Sequence, residues 1–271
     1  MRFDLRRSLI AMSMALPMGC ANSTPGQADQ GTDAKPAASQ QDQPAVIKAL
    51  EQQGLEIQGR FEAPSGLRGY AGSAGGRPIS VYLTSDGKYA LVGTLIDAQG
   101  NDVGAEALRK LVSGPAGQKM WEQLEHSTVV VDGQADAARI IYTFTDPNCP
   151  YCNAFWRASR PWVEAGKVQL RHVLVGIIKQ DSPTKAAAIL QASSPAQALA
   201  YNEQHHDQGG IKPAASVSPE VAKTLQQNLM LMTALGFQGT PAIVFKDAQG
   251  QVQTRSGMPQ GADLENVLGP K

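Results

Sequence analysis

The chain has very little cysteine: of its 271 residues only Cys20, Cys149 and Cys152 are of that type. Nothing after the first twenty residues can staple distant segments together. A pair three residues apart therefore points to chemistry rather than to a disulfide scaffold. Net charge is lacking as well, because 24 basic and 24 acidic side chains cancel. That excludes a bulk field drawing the protein to nucleic acid or anionic lipid. Long apolar runs are missing too. The stretch from Leu9 to Met18 is too short for a permanent membrane helix, and no other stretch approaches that length.

The beginning, MRFDLRRSLIAMSMALPMGCA, has early arginines, a short apolar run and then small residues, which is the layout of a secretory signal peptide over 1–21. Leu16 to Cys20 also resembles a bacterial lipoprotein box, so Cys20 is either a lipid attachment point or is discarded with the leader. Residues 22–43 are rich in Gln, Ala, Asp, Ser and Pro and cannot bury enough apolar surface to order themselves. They are read as a disordered tether.

Two folded units fit the remaining length. Over 44–103 a short helical start, AVIKALEQQG, precedes the strand-like runs LEIQGRF, ISVYLT and YALVGTLID, punctuated by Asp-Gly and Gln-Gly turns. This predicts an antiparallel sheet. About sixty residues make a marginal core, so the unit is expected to pair with a second copy or to pack on its neighbour. Over 104–125, AEALRKLV and GQKMWEQLE keep helical spacing on either side of Gly114-Pro115, as an interrupted linker helix or an ordinary domain helix with a break.

The unit over 126–271 reads as α/β. ARIIYTFTD is a buried strand, PNCPYC a turn, NAFWRASRPWVEAGK an amphipathic helix and VQLRHVLVGII a second buried strand, which together make a βαβ unit. A helical insertion follows over 183–236, with Ser182, Ser194 and Ser218 each preceding a proline as helix starts. PAIVFK and QVQTRSG then form a hairpin, and ADLENVLG a last helix.

Cys149 and Cys152 fall where strand gives way to helix. At that spacing the second sulfur sits one turn behind the first, so a disulfide can form and reopen. Unpaired N–H groups and the positive end of the helix dipole favour the Cys149 thiolate, which makes it the expected nucleophile. Cys152, deeper in the helix, is the expected resolving thiol, and Pro150 and Tyr151 tune the pair. The redox-active disulfide itself replaces any cofactor. Zinc would need two more ligands, and His126, His172, His205 and His206 are not set at the separation of a second ligand pair, so no metal is expected. An inert disulfide at this spacing would be strained. The histidines are read as surface residues, and Met230, Met232 and Leu235 as helix core. Gly239-Thr240-Pro241 directly precedes the strand AIVF, where a proline is disfavoured inside a paired strand and often marks a special bond.

With the cysteine turn, the Thr-Pro and a separate N-terminal sheet in hand, the chain resembles the periplasmic DsbC/DsbG family. The segments PAGQKMWEQLE, TDPNCPYCNAFW, RPWVEAGKVQLRHVLVGIIK, TPAIVF and GMPQ carry the likeness, which runs from about Pro115 to the end and less clearly into the N-terminal unit. The resemblance implies an α+β chain: a small cystatin-like N-terminal dimerisation domain, a linker helix, and a thioredoxin-fold catalytic domain on each arm of a V-shaped homodimer. It further implies that Pro241 is cis beside Cys149, and that Thr240 offers its backbone to a client strand and tunes the sulfur chemistry. It implies a pair kept reduced by a DsbD-like inner-membrane donor, acting on sulfenylated or wrongly bonded cysteines of exported proteins. The Pro-Tyr dipeptide favours the sulfenic-acid reductase over an isomerase, which would carry Gly-Tyr. A monomeric DsbA-like oxidase and a dimeric client-binding chaperone stand as the alternatives.

Overall fold

A computed structural model describes residues 43–271. The expected leader, Cys20 and nearly all of the tether lie outside the described residues. Among the described residues no helix is long and apolar enough to cross a membrane.

Helix α1 (Ala45–Gln52) is followed by four antiparallel strands, β1 (Leu55–Glu62), β2 (Arg68–Ala74), β3 (Arg77–Leu83) and β4 (Ala90–Val92), in spatial order β1-β2-β3-β4. The core of this unit is small: Ile47, Leu55, Tyr70, Val81 and Leu83 form its hydrophobic cluster, and Ala71 and Tyr82 are buried as well. Strand β2, RGYAGSA, escaped the sequence reading because its glycines and alanines carry little strand propensity. It forms because Tyr70 and Ala71 are buried between paired neighbours on both sides.

Helix α2 (Ala105–Leu108), a π-helical turn (Arg109–Ser113) and α3 (Gly114–Glu125) run on without a break. The expected interruption at Gly114-Pro115 is thus a widened turn: Pro115, at the start of α3, has no N–H to give the preceding turn, and the π turn at Arg109–Ser113 accommodates it within a continuous helix. The π turn packs on the small sheet, where Leu111 fills the space above Gly59: a Cβ there would lie 2.8 Å from the leucine. The other end belongs to the second unit, since Trp121 and Leu124 of α3 are buried against Tyr142 and Phe144.

The second sheet has the order β5-β7-β6-β8-β9, built from β5 (Val130–Asp132), β6 (Arg139–Thr145), β7 (Val168–Leu174), β8 (Ala242–Lys246) and β9 (Val252–Ser256). Strands β6 and β7 are parallel and joined by α4 (Pro150–Glu164), while β8 and β9 form an antiparallel hairpin. One face packs under α3 and α7 (Pro219–Ala234). The other packs under α4 and α8 (Ala262–Leu268), through Phe155, Trp162, Val163, Val267 and Leu268. The insertion supplies α5 (Ser182–Leu190), α6 (Pro195–Gln204) and α7.

Three expectations change here. His172 is buried at 2 % exposure on β7 rather than at the surface. Met232 is core, but Met230, two residues earlier on α7, faces outward at 63 % exposure. Ser218 does cap α7, accepting from Val221 N–H at 3.3 Å, whereas Ser182 lies inside α5 behind Asp181 and does not cap it.

Candidate active site

The segment Asp146-Pro147-Asn148-Cys149 turns the chain from β6 into α4. Cys149 N–H donates to the Asp146 carbonyl at 3.0 Å, and Asn148 N–H to Asp146 Oδ1 at 2.8 Å. Proline as the second residue of a turn opened by aspartate is what such a turn prefers. Pro150 then begins α4, and Cys149 is its N-cap, its sulfur accepting from Cys152 N–H at 3.3 Å. A cysteine sulfur stands here where an Asn or Ser oxygen usually caps, so the first turn of α4 is aimed at the sulfur.

Both thiols are free and both residues are buried, Cys149 at 1 % and Cys152 at 3 % exposure. Their proton affinities separate sharply. The Cys152 thiol, the Thr240 hydroxyl and the N–H groups of Cys152 and Tyr151 lower the pKa of Cys149 to about 6, against the opposing effect of burial. Burial, and then the neighbouring Cys149 sulfur, push Cys152 well above its ordinary value. At neutral pH the pair thus holds one thiolate and one thiol, the arrangement a nucleophile and a later attacker require.

Thr240 and Pro241 complete the site from the start of β8. The peptide bond between them is cis. The Thr240 carbonyl accepts from the Cys149 thiol at 3.3 Å. Among the described residues the Thr240 hydroxyl is buried without a hydrogen-bond partner, and it favours the ionised form of either sulfur. Tyr151 is 64 % exposed at the rim, so of the two residues between the cysteines Pro150 shapes the helix start and Tyr151 meets solvent.

Several polar residues beneath the turn were not singled out from sequence. Asp146 is fully buried, and its carboxylate accepts four hydrogen bonds, from Asn148 N–H, Ser182 Oγ and the N–H groups of Ile177 and Ile178. Glu203 on α6 is also buried, accepting from Asn153 Nδ2 at 2.8 Å and Asn202 Nδ2 at 3.2 Å; burial raises its pKa. The Asp-Pro-Asn signature could have flagged Asp146. Nothing in the polar stretch around YNEQHH marks Glu203 as internal.

The four histidines do not converge on the cysteines. His126 caps the end of α3, His205 stacks on Tyr201, His206 opens a short 3-10 turn, and His172 bonds Thr145 Oγ1 at 3.0 Å. Among the described residues no group of three or more His, Cys, Asp and Glu side chains is placed to hold a metal ion.

Comparison with known proteins agrees with this architecture. A family model described as a thioredoxin-like domain matches residues 126–269, and one described as the disulfide bond isomerase protein N-terminal domain matches residues 37–105. The thiol:disulfide interchange protein DsbG of Pseudomonas aeruginosa is 46% identical over 235 residues, covering 87% of this chain and 92% of that protein. DsbG of Escherichia coli is 41% identical over 231 residues, covering 84% and 92%. A probable DsbC of Bordetella pertussis is 30% identical over 167 residues, covering 61% of this chain and 54% of that protein.

Proposed function

Because this chain belongs to the DsbG family of thiol:disulfide interchange proteins, we propose that it is a periplasmic thiol-disulfide oxidoreductase that reduces sulfenylated or wrongly bonded cysteines of exported proteins. The observation that carries the reading is the Cys149 sulfur at the N-terminus of α4, held at a pKa of about 6 beside a thiol pushed the other way.

The reaction balances as two displacements. The Cys149 thiolate attacks the sulfur of a client sulfenic acid, forming a mixed disulfide and releasing hydroxide, which becomes water. Cys152, as its proton leaves, attacks the Cys149 sulfur; the client departs as a thiol and the Cys149–Cys152 disulfide remains. Two electrons pass from the pair to the client. A wrong client disulfide is opened the same way, with a client thiolate leaving in place of hydroxide. Restoring the dithiol requires an outside reductant, for which a DsbD-like membrane protein is the candidate. The pair is itself the redox group, with no separate cofactor.

The small N-terminal unit serves as the dimer contact. Among the described residues strand β4 is an edge of the first sheet, and around it Tyr89, Leu91, Val92 and Ile96 are exposed at 49–69 %. An apolar edge of this kind on a marginal core favours pairing with a second copy. Exposed Tyr151, Ile177 and Ile178 beside the cysteine turn favour an accompanying client-binding activity. A lipid on Cys20 would tether the dimer to a membrane through the polar N-terminal segment.

The direct test incubates the reduced protein with a client carrying one sulfenylated cysteine. The expected result is one Cys149–Cys152 disulfide formed for each sulfenate lost, counted by a sulfenate-specific probe and by mass. Persistence of the sulfenate with the dithiol intact overturns the reading.

A further inference from the structure

Asn148, the residue before the nucleophile, is 7 % exposed, and every polar atom of its side chain is engaged by the helical insertion. Its Nδ2 donates to Asp181 Oδ1 at 3.0 Å and to Ser182 Oγ at 2.9 Å, while its Oδ1 accepts from Lys185 Nζ at 2.8 Å. Lys185, 6 % exposed on α5, spends its other contacts on the Gly209 carbonyl at 2.7 Å and on Asp181 at 3.3 Å. A buried ammonium needs such partners, and one of the three is the residue preceding Cys149.

The same turn is held from below by the buried Asp146 carboxylate, which joins Asn148 N–H to the 177–178 backbone and to Ser182. The neighbouring loop has no slack: a Cβ on Gly176 would lie 2.6 Å from the Pro183 backbone. An active-site turn formed by residues 146–149 is thereby pinned to a helix whose first residue is thirty-three positions further on.

We propose that Asn148 is a positioning residue for the Cys149 reaction, fixing the turn that presents the sulfur to the first N–H groups of α4 through its bonds to Asp181, Ser182 and Lys185. The proposal rests on the thiolate reading above. Those N–H groups stabilise the thiolate only while the sulfur stays in line with them, and the side-chain bonds of Asn148 hold it there. The charged and titratable groups around the site are Cys152 on α4, Asp146 below the turn, Asp181 and Lys185 of α5 and its start, and Glu203 on α6, which holds Asn153 next to Cys152 and Asn202, the donor to the Pro147 carbonyl.

The test is the pH profile of Cys149 alkylation in the reduced protein, read alone and in a double-mutant cycle. Asn148→Ala, a neutral exchange, is expected to slow alkylation about fivefold at pH 6 and to leave it unchanged at pH 9, as a smaller thiolate fraction requires. Lys185→Met is expected to shift the profile the same way, and the double variant no further than Asn148→Ala alone, because both cut one connection. A purely structural role would lower the melting temperature without moving the profile. Should Asn148→Ala fold poorly, Asn148→Ser, too short to span Lys185 and Asp181 together, replaces it with the same required outcome.

Unshifted profiles in folded variants overturn the proposal. So do shifts that add in the double variant, which would mean that Lys185 acts on the sulfur by its charge alone. A wild-type Cys149 that titrates like an ordinary thiol would instead sink the thiolate reading itself.

Discussion

The Cys149 thiol meets the carbonyl oxygen of Thr240 at 3.3 Å across ninety-one residues of sequence. One end of β8 and one end of α4 thus bracket the same sulfur. The setting predicts that Cys149 alone reacts with an alkylating agent at neutral pH, with half-maximal rate near pH 6, while Cys152 stays unmodified. Peptide mass mapping across pH 5–9 checks this.

A thermodynamic counterpart follows from linkage. Cys149 is depressed in the fold, so its ionisation adds stability that is fully present above the unfolded thiol's pKa and is lost as pH falls through about 6. The disulfide form has no such group. The melting temperature of the reduced protein relative to the oxidised one is therefore expected to rise between pH 6 and pH 9, as scanning calorimetry of both forms would show.

Thr240→Val keeps the shape of the side chain and removes the hydroxyl that favours the ionised sulfur. A hydrogen bond to a charged group contributes about 1.5 kcal/mol, so the Cys149 titration should move up by about one unit. Alkylation at pH 6 should slow about fivefold with no change at pH 9.

Much of this site is legible in the amino-acid sequence. The C-x-x-C at a strand-to-helix transition, the Pro150 helix start and the Thr-Pro before β8 are local signals, because backbone sterics fix them within a few residues. Elements that depend on distant partners were not legible. Strands β2 and β5 lack their own periodicity and form by pairing, as Val130–Asp132 does against β7. His172 lies buried on β7, and Lys185 and Glu203 are side chains of the insertion that became internal where it packs on Asn148 of the turn and Asn153 of α4. The break read at Gly114-Pro115 became a π turn because both flanks of the helix are packed, one on each sheet.

Leu91 is 63 % exposed on edge strand β4. Leu91→Asp places a charge on the face assigned to the second copy, where an unpaired buried charge opposes association strongly. Light scattering should show the dimer mass falling to that of one chain, with the Cys149 titration unchanged. An unaltered dimer mass would move the contact elsewhere.

Glu203→Ala removes two hydrogen bonds and leaves a small cavity under α4, at a cost of about 1 to 3 kcal/mol. Burial raises the pKa of the Glu203 carboxyl, so its stabilising contribution is full at low pH and shrinks as pH rises through the folded value. The gap between wild type and variant in denaturant titrations should accordingly be wider at pH 4.5 than at pH 7.5.

In the proposed reaction Cys149 attacks the client and Cys152 releases it. Cys152→Ala, mixed with a sulfenylated or disulfide-bonded client and resolved without reductant, should accumulate a mixed disulfide that peptide mapping places on Cys149 and that dithiothreitol dissolves. Absence of that adduct, or its equal formation by Cys149→Ala, would contradict the account.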